Sequence, residues 1–206
     1  MIRSPESEPF LVRWTGKLGS IFGLSVMWIL CCLPVLTIMP ACIALYDSVV
    51  NCLHGNEPSP IRRFFSTLRR ELLRGIGLSV LWIVVWVVFL YGFALVNNIG
   101  KEIPAFSMYS VLYAGSSLIP MTMMLWVIPL QARFNYGFFE LHRMAMTFVI
   151  VHLPTTAAIL GMLIVTVVLS VFLLPLILLI PAILVALQSH LTEKVLVLYE
   201  IEEGIE

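Results

Sequence analysis

Residues 144–192 read MAMTFVIVHLPTTAAILGMLIVTVVLSVFLLPLILLIPAILVALQSHLT and contain no Asp, Glu, Lys or Arg. A helix that crosses the hydrocarbon core of a bilayer needs about 20 mostly apolar residues. This stretch of 49 residues is therefore long enough for two such helices. Because a soluble core has no need of so many consecutive uncharged residues, the stretch predicts a protein embedded in a membrane.

The rest of the chain has the same character. It is 206 residues long, and 60% of it is hydrophobic while 12% is charged, against about 25% charged residues in ordinary soluble domains. Its mean hydropathy is +1.01. Three further uncharged stretches lie between Lys17 and Asp47, between Arg74 and Lys101, and between Glu102 and Arg133.

We therefore expect an all-α fold, a polytopic membrane helical bundle formed by one domain over residues 1–206. It should contain five to six hydrophobic segments and one interfacial amphipathic helix. The predicted hydrophobic segments are 18–36, 40–53, 76–97, 106–130, 145–172 and 176–198, and the amphipathic helix is 59–74. The last two hydrophobic segments should turn near Pro175.

Pro34 and Pro40 separate the first two segments. Each proline lacks a backbone N–H and clashes with the preceding helical turn, so one straight helix through both is not expected. Pro34, Thr37 and Pro40 thus mark a predicted structural break, at which the chain reverses near the outer surface. The reversal keeps the basic residues before and after this pair on one side, in keeping with the positive-inside rule.

This topology predicts a multi-pass protein of the cell membrane with six crossings and both termini cytoplasmic. Five crossings with an outside N-terminus is the alternative.

The amphipathic segment 59–74 starts with Ser59 as predicted N-cap and Pro60 at the first helical position. Its apolar residues recur at helical spacing, at Ile61, Phe64, Phe65, Leu68 and Leu72. Its five arginines are Arg62, Arg63, Arg69, Arg70 and Arg74. This pattern predicts a helix lying flat in the cytoplasmic interface. Its arginines could anchor the topology on anionic lipid of the bilayer, or could contact a partner protein.

A few polar residues interrupt the apolar segments. Asp47 lies in the second segment and adjoins the membrane core, and Asn51 lies one helical turn further on. An ionisable residue there is costly to bury and is a functional candidate, although headgroups could also solvate it. His152 precedes Leu153 and Pro154, and it either bonds a neighbouring helix or contacts a proton or substrate. Asp47, Asn51 and His152 are therefore a candidate polar path through the membrane.

Motifs of nucleotide-binding and hydrolytic enzymes are missing from the sequence, including the P-loop, H-E-x-x-H and G-x-S-x-G. Four cysteines lie in one apolar region without a C-x-x-C pair, at positions 31, 32, 42 and 52. They are expected to be buried apolar side chains, and a Cu(I) site is the alternative. The net charge of zero gives no general attraction to nucleic acid. We expect no catalytic residues, no cofactor and no metal site.

Two stretches carry a resemblance to a known family. The first is WILCCLPVLTIMPACIALY at 28–46, and the second combines GNEP at 55–58 with RFFSTLRREL at 63–72. Both resemble the YesL family of bacterial integral membrane proteins, whose members read roughly L-P-[IV]-x-T-I-G-P-A-x-x-A-L-Y in the first stretch. Met39 stands where the family usually has glycine, and Glu71 where it usually has asparagine.

The family has no established activity, and its members are often encoded beside ABC importers for oligosaccharides. The resemblance therefore implies a non-enzymatic accessory protein of the membrane, linked to carbohydrate uptake by an ABC importer and contacting its permease subunits. The alternative is a small secondary transporter with its polar path through Asp47, Asn51 and His152. Carriers of that class often contain broken helices, which the break at Pro34 and Pro40 would supply.

Overall fold

The computed structural model describes residues 10–54, 59–102, 107–134, 136–172 and 180–203. These residues form helices joined by short turns, and no strand occurs among them. The predicted all-α fold is confirmed. The helices are α1 (Phe10–Cys32), α2 (Ile38–His54), α3 (Pro60–Glu102), α4 (Ser107–Ser116), α5 (Leu118–Arg133), α6 (Phe138–Val151), α7 (Leu153–Phe172) and α8 (Ile180–Glu203).

Three stretches of helix are long and apolar enough to cross a membrane, namely Pro60–Lys101, Met108–Arg133 and Pro181–Glu200. A fourth span results if α6 and α7 are counted together, although they meet at an angle of 97°. The apolar helices Phe22–Cys32 and Val35–Asn51 are shorter. These elements are compatible with a multi-pass membrane protein. They give fewer full-length spans than the five to six hydrophobic segments predicted.

The first two apolar helices are short because the chain breaks between α1 and α2. Pro34 is in an extended conformation, with φ −77° and ψ 117°, and a 3-10 turn follows at Val35–Thr37. The hydroxyl of Thr37 donates to the backbone carbonyls of Cys31 and Pro34. It thereby satisfies carbonyl groups that the interrupted helix leaves without intrahelical partners. Pro40 lies in the first turn of α2, where the missing N–H removes no helical hydrogen bond.

The α1–α2 pair forms a hairpin beside α3. Contacts between α2 and α3 run in opposite directions along the two helices. Asp47 of α2 contacts Arg63 near the start of α3, and Pro40 contacts Gly75 further along. The amide of Met39 donates to Ser79 over 3.2 Å. The two helices are therefore antiparallel. The turn between α1 and α2 then reaches the middle of the apolar part of α3, where Val35 and Ile38 line an apolar cavity of about 220 Å³ with Trp82, Trp86 and Leu90.

This depth differs from the predicted reversal near the outer surface. The reason is that α2 pairs with the first five turns of α3, and these turns precede most of its apolar part. The hairpin therefore ends about half way along that part. At its tip Leu33 is 74% exposed, and Val35 and Leu36 are also exposed. Exposed aliphatic side chains at this level suit contact with lipid chains, because water would penalise them.

The segment 59–74 was predicted to be a separate helix lying flat, and the structure contradicts its being separate. It forms the first turns of α3, a single helix of 43 residues and about 64 Å. Gly75 does not interrupt the helix, because it is the point where α3 touches α2. A Cβ at this position would lie 2.6 Å from the Cβ of Pro40. Glycine thus permits a close crossing of helices here, and the basic segment extends the membrane-spanning one.

The predicted segment 145–172 is also interrupted. α6 ends at Val151, and His152 takes φ −109° and ψ 47°, outside the helical region. Pro154 follows in the first turn of α7, so the bend falls where proline has no hydrogen bond to lose. The ring of His152 lies against those of Trp126 and Phe148. The predicted turn near Pro175 lies outside the described residues.

Candidate functional site: a charged cluster at the basic end of the bundle

A group of charged and polar residues from α2, α3, α5 and α8 converges near the start of α3, and we call this end of the bundle the basic end. Asp47 of α2 is only 8% exposed. Its Oδ2 accepts from Arg63 Nε over 2.9 Å and from Thr67 Oγ1 over 2.6 Å. Its Oδ1 accepts from Arg63 Nη2 over 3.2 Å and from Asn51 Nδ2 over 3.0 Å. Both carboxylate oxygens are therefore engaged, and the pairing joins α2 to α3.

Two turns further along α3, Glu71 forms a second junction. Its side chain is buried, and its Oε2 accepts from Gln131 Nε2 of α5 over 3.0 Å. Its Oε1 accepts from Arg70 Nε over 3.0 Å. A carboxylate removed from water needs such partners, since leaving it unpaired would cost several kcal/mol. Glu71 thereby fixes the level at which α5 ends beside α3.

A third junction joins α5 to α8 through Arg133. Its Nε and Nη2 donate to the two carboxylate oxygens of Glu200 over 2.7 and 2.6 Å, and its Nη1 donates to Glu193. Glu193 also accepts from the hydroxyl of Tyr46 over 3.0 Å, and that hydroxyl shares a bond of 2.7 Å with Thr192. The two-pronged Arg–Glu pairing is the strong, directional kind. It holds the C-terminal parts of α5 and α8 at the basic end.

Two adjoining cavities lie among these junctions. A cavity of about 360 Å³ is lined by Tyr46, Asp47, Val50, Asn51, Arg63, Ala132, Arg133 and Glu193. A larger cavity of about 530 Å³ is lined by Asp47, Arg63, Arg70, Glu71, Arg74, Gln131, Ala132, Arg133 and Phe134. Four arginines and two carboxylates line the larger cavity, so its lining carries a formal charge of +2.

The five arginines predicted to contact lipid or a partner divide into two groups. Arg63, Arg70 and Arg74 line the larger cavity. Arg62 and Arg69 are exposed, on a face of α3 that also carries Phe65, 47% exposed, and Leu73, 86% exposed. These four residues follow one another at three- or four-residue intervals, so they form one stripe along the helix. We call it the exposed stripe.

The candidate polar path is only partly assembled. Asp47 and Asn51 share a hydrogen bond and line the smaller cavity. His152 is not among the residues lining either polar cavity. Its carbonyl accepts from Thr156 Oγ1 over 3.0 Å, and Thr156 accepts in turn from the indole of Trp126. His152 therefore belongs to the junction of α5, α6 and α7.

Several residues of this cluster were not singled out from the sequence. Glu71 and Gln131 lie 60 positions apart, as do Arg133 and Glu193, so no local spacing connects them. Glu193 and Glu200, which lie close to the C-terminal end of α8, contact Arg133 of α5. The one signal available in the sequence was position, because Asp47, Arg133 and Glu193 are charged residues that end long uncharged stretches.

No group of three His, Cys, Asp or Glu side chains in the described part of the chain is arranged to hold a metal ion. Cys31, Cys32 and Cys42 carry free thiols close to the break between α1 and α2.

Comparison with known proteins gives one match. No curated protein and no solved structure matches the chain. The matching family model covers residues 21–93, about a third of the chain. These residues include the break at Pro34, the pairing of Asp47 with Arg63, and α3 as far as Phe93. YesL-type proteins are members of this family. The N-terminal hairpin and α3 are therefore similar to a family described as protein of unknown function, DUF624.

Proposed function

We propose that the protein is a non-enzymatic accessory protein of the cell membrane that binds a partner protein through the exposed stripe of α3. The observation that carries the proposal is the continuity of α3. A flat amphipathic helix would place Phe65 and Leu73 in lipid. A helix continuous with a membrane-spanning segment raises its first turns out of the apolar layer.

Distances along the helix axis support this step. The apolar part of α3 begins at Ile76, and each residue before it adds about 1.5 Å along the axis. Leu73 is then about 5 Å, Arg69 about 10 Å, Phe65 about 17 Å and Arg62 about 21 Å from that point. The headgroup layer is about 5–8 Å thick on each side. For a helix near the membrane normal, Phe65 and Arg62 therefore stand beyond the headgroups.

An aromatic side chain flanked by arginines, standing in water, has the composition of a protein interface. Aromatic residues and arginine are enriched in interfaces and dominate their binding energy. The partner should offer an apolar pocket for Phe65 and carboxylates for Arg62 and Arg69. The resemblance to YesL proteins suggests an ABC importer permease subunit for oligosaccharides as this partner.

The orientation follows from the same charges. Arginines favour the cytoplasmic side, so the basic end should be cytoplasmic. The pairing of Arg133 with Glu200 holds the end of α8 at this end. A hairpin that returns to its starting side leaves the N-terminus there as well. Both termini are then cytoplasmic, with α3, α4–α5, α6–α7 and α8 as four crossings.

Co-purification from native membranes tests the proposal. The variant R62Q/R69Q should insert normally, because neither side chain lines the larger cavity, and should lose most of the importer subunit that co-purifies with wild type. The control R143Q/K194Q removes the same charge from exposed positions of α6 and α8 and should retain the partner. Equal partner yields from both variants and wild type would contradict the docking role. Arg63 is left unchanged, since its loss would unpair Asp47.

One observation favours the secondary transporter as a second candidate. Besides the break at Pro34, the structure contains the 97° bend between α6 and α7, and paired interruptions are frequent in carriers. Purified protein alone in liposomes should then take up a labelled oligosaccharide, and D47N should abolish this uptake. Accessory function predicts no uptake by wild type under the same conditions.

A further inference from the structure

We propose that the larger cavity, between α3 and α5 at the basic end, binds a phosphate ester anion. Its volume of about 530 Å³ lies within the usual range for ligand pockets. Four guanidinium groups line it, and a guanidinium matches the geometry of a phosphate group with two parallel hydrogen bonds. The inference is independent of the partner proposed above, because it concerns a different face of α3.

The hydrogen-bond inventory of the cavity favours an anion. Both oxygens of Asp47 and both oxygens of Glu71 already accept hydrogen bonds from this protein. The carboxylates in the lining are therefore occupied acceptors, and they hold the arginine side chains in position. Arg70 contributes one N–H to Glu71, yet a guanidinium carries five. With its side chain 62% exposed, it has donors to offer an incoming acceptor.

Two of the arginines are held rigidly. Arg63 is fixed by Asp47, and Arg133 is fixed by Glu193 and Glu200. A site whose donors are already in place loses less side-chain freedom when it binds a ligand. The six charged side chains of the lining sum to a formal charge of +2, and Glu193 and Glu200, which pair with Arg133 from outside the lining, bring the sum for the whole cluster to zero. The attraction of an anion therefore depends on N–H donors such as those of Arg70 and not on net charge.

The level of the cavity suits the phosphate of a lipid. Glu71 is five residues before Ile76, which is about 8 Å along the axis, and the headgroup layer is about 5–8 Å thick. Gln131 of α5 meets Glu71 at this level. A phospholipid beside α3 and α5 could place its phosphate in the cavity. A soluble phosphate ester could also enter from the aqueous side, so the experiment must separate these two sources.

The test compares R70Q/R74Q with R62Q/R69Q. Both variants replace two arginines of α3 with glutamine, and only the first pair lines the cavity. Delipidated protein in detergent is titrated with dioleoyl phosphatidylglycerol, with dioleoyl phosphatidylcholine and with inorganic phosphate. Native mass spectrometry counts the bound molecules. R70Q/R74Q should bind phosphatidylglycerol about tenfold more weakly than wild type, whereas R62Q/R69Q should bind it as wild type does.

Saturable binding of phosphatidylglycerol that exceeds binding of phosphatidylcholine supports a lipid ligand. Binding of inorganic phosphate that depends on Arg70 and Arg74 supports a soluble one. Equal affinity of the two variants for every probe would overturn the site. If R70Q/R74Q does not elute as a monodisperse species, R70Q alone is used. It should bind about threefold more weakly than wild type, and unchanged binding would likewise overturn the proposal.

Discussion

Replacing Asp47 with alanine removes the acceptor that joins α2 to α3. The variant loses two hydrogen bonds from Arg63, one from Thr67 and one from Asn51. Removing one partner of a buried ion pair costs about 3–5 kcal/mol. Because the Arg63 side chain is 30% exposed, water can solvate it again. We therefore expect D47A to lower the free energy of unfolding by about 3 kcal/mol, the lower end of that range.

A double-mutant cycle isolates the pairing from the other losses. D47A and R63A should couple by about 1–2 kcal/mol, so that the double variant is more stable than the sum of the single effects implies. D47A and R62A are the matched control. Arg62 precedes Arg63 directly but is exposed, and it should couple with Asp47 by less than about 0.5 kcal/mol.

The assay is reversible unfolding in mixed micelles, followed by circular dichroism and tryptophan fluorescence, with coincident transitions as the condition for a single free energy. If Arg63 couples to Asp47 no more strongly than Arg62 does, the α2–α3 junction is not maintained by this ion pair. The arrangement of the two cavities would then need another cause.

Two further predictions concern the hairpin. G75A should lower the free energy of unfolding by about 1–3 kcal/mol, because the new methyl group would overlap Pro40. The control G77A, where nothing lies within 4 Å, should be neutral or stabilising by up to about 1 kcal/mol. Similar results for both variants would contradict the close crossing. In a background without native cysteines, L33C should resist a membrane-impermeant maleimide from both sides, because the hairpin ends within the apolar layer. K101C, at the far end of α3, should react from outside, and reaction of L33C from outside would restore the reversal at the outer surface.

The sequence predicted those features that depend on local patterns. Long uncharged stretches indicated apolar helices, and two prolines six residues apart marked an interruption. Both signals arise from the chemistry of neighbouring residues. The length of α3 depended instead on contact with another helix. Gly75 lies between the predicted segments 59–74 and 76–97, and its close approach to Pro40 of α2 lies inside one continuous helix.

The candidate site illustrates the same limit. Asp47 and Asn51 could be found because an ionisable residue next to an apolar segment is costly and needs a reason. Their relation to Arg63 and Thr67 depends on the antiparallel packing of α2 and α3, which no spacing encodes. His152 met the same criterion as Asp47, and it packs at a helix bend. A polar residue within an apolar segment indicated that the residue had a role. Only the fold showed that Asp47 forms an ion pair between helices and that His152 packs at a helix bend.

The continuous α3 also has a mechanical consequence. Contacts with α2 at Arg63, Gly75 and Ser79, and with α5 at Glu71, hold the basic part of the helix and the start of its apolar part at several levels. About 40 Å of helix lies beyond Gly75. Because a rod held at several levels cannot pivot on one of them, a load applied at Arg62 would tilt α3 together with the parts of α2 and α5 that are bound to it. Binding at one membrane surface would thus be transmitted to the other by three helices moving as a unit.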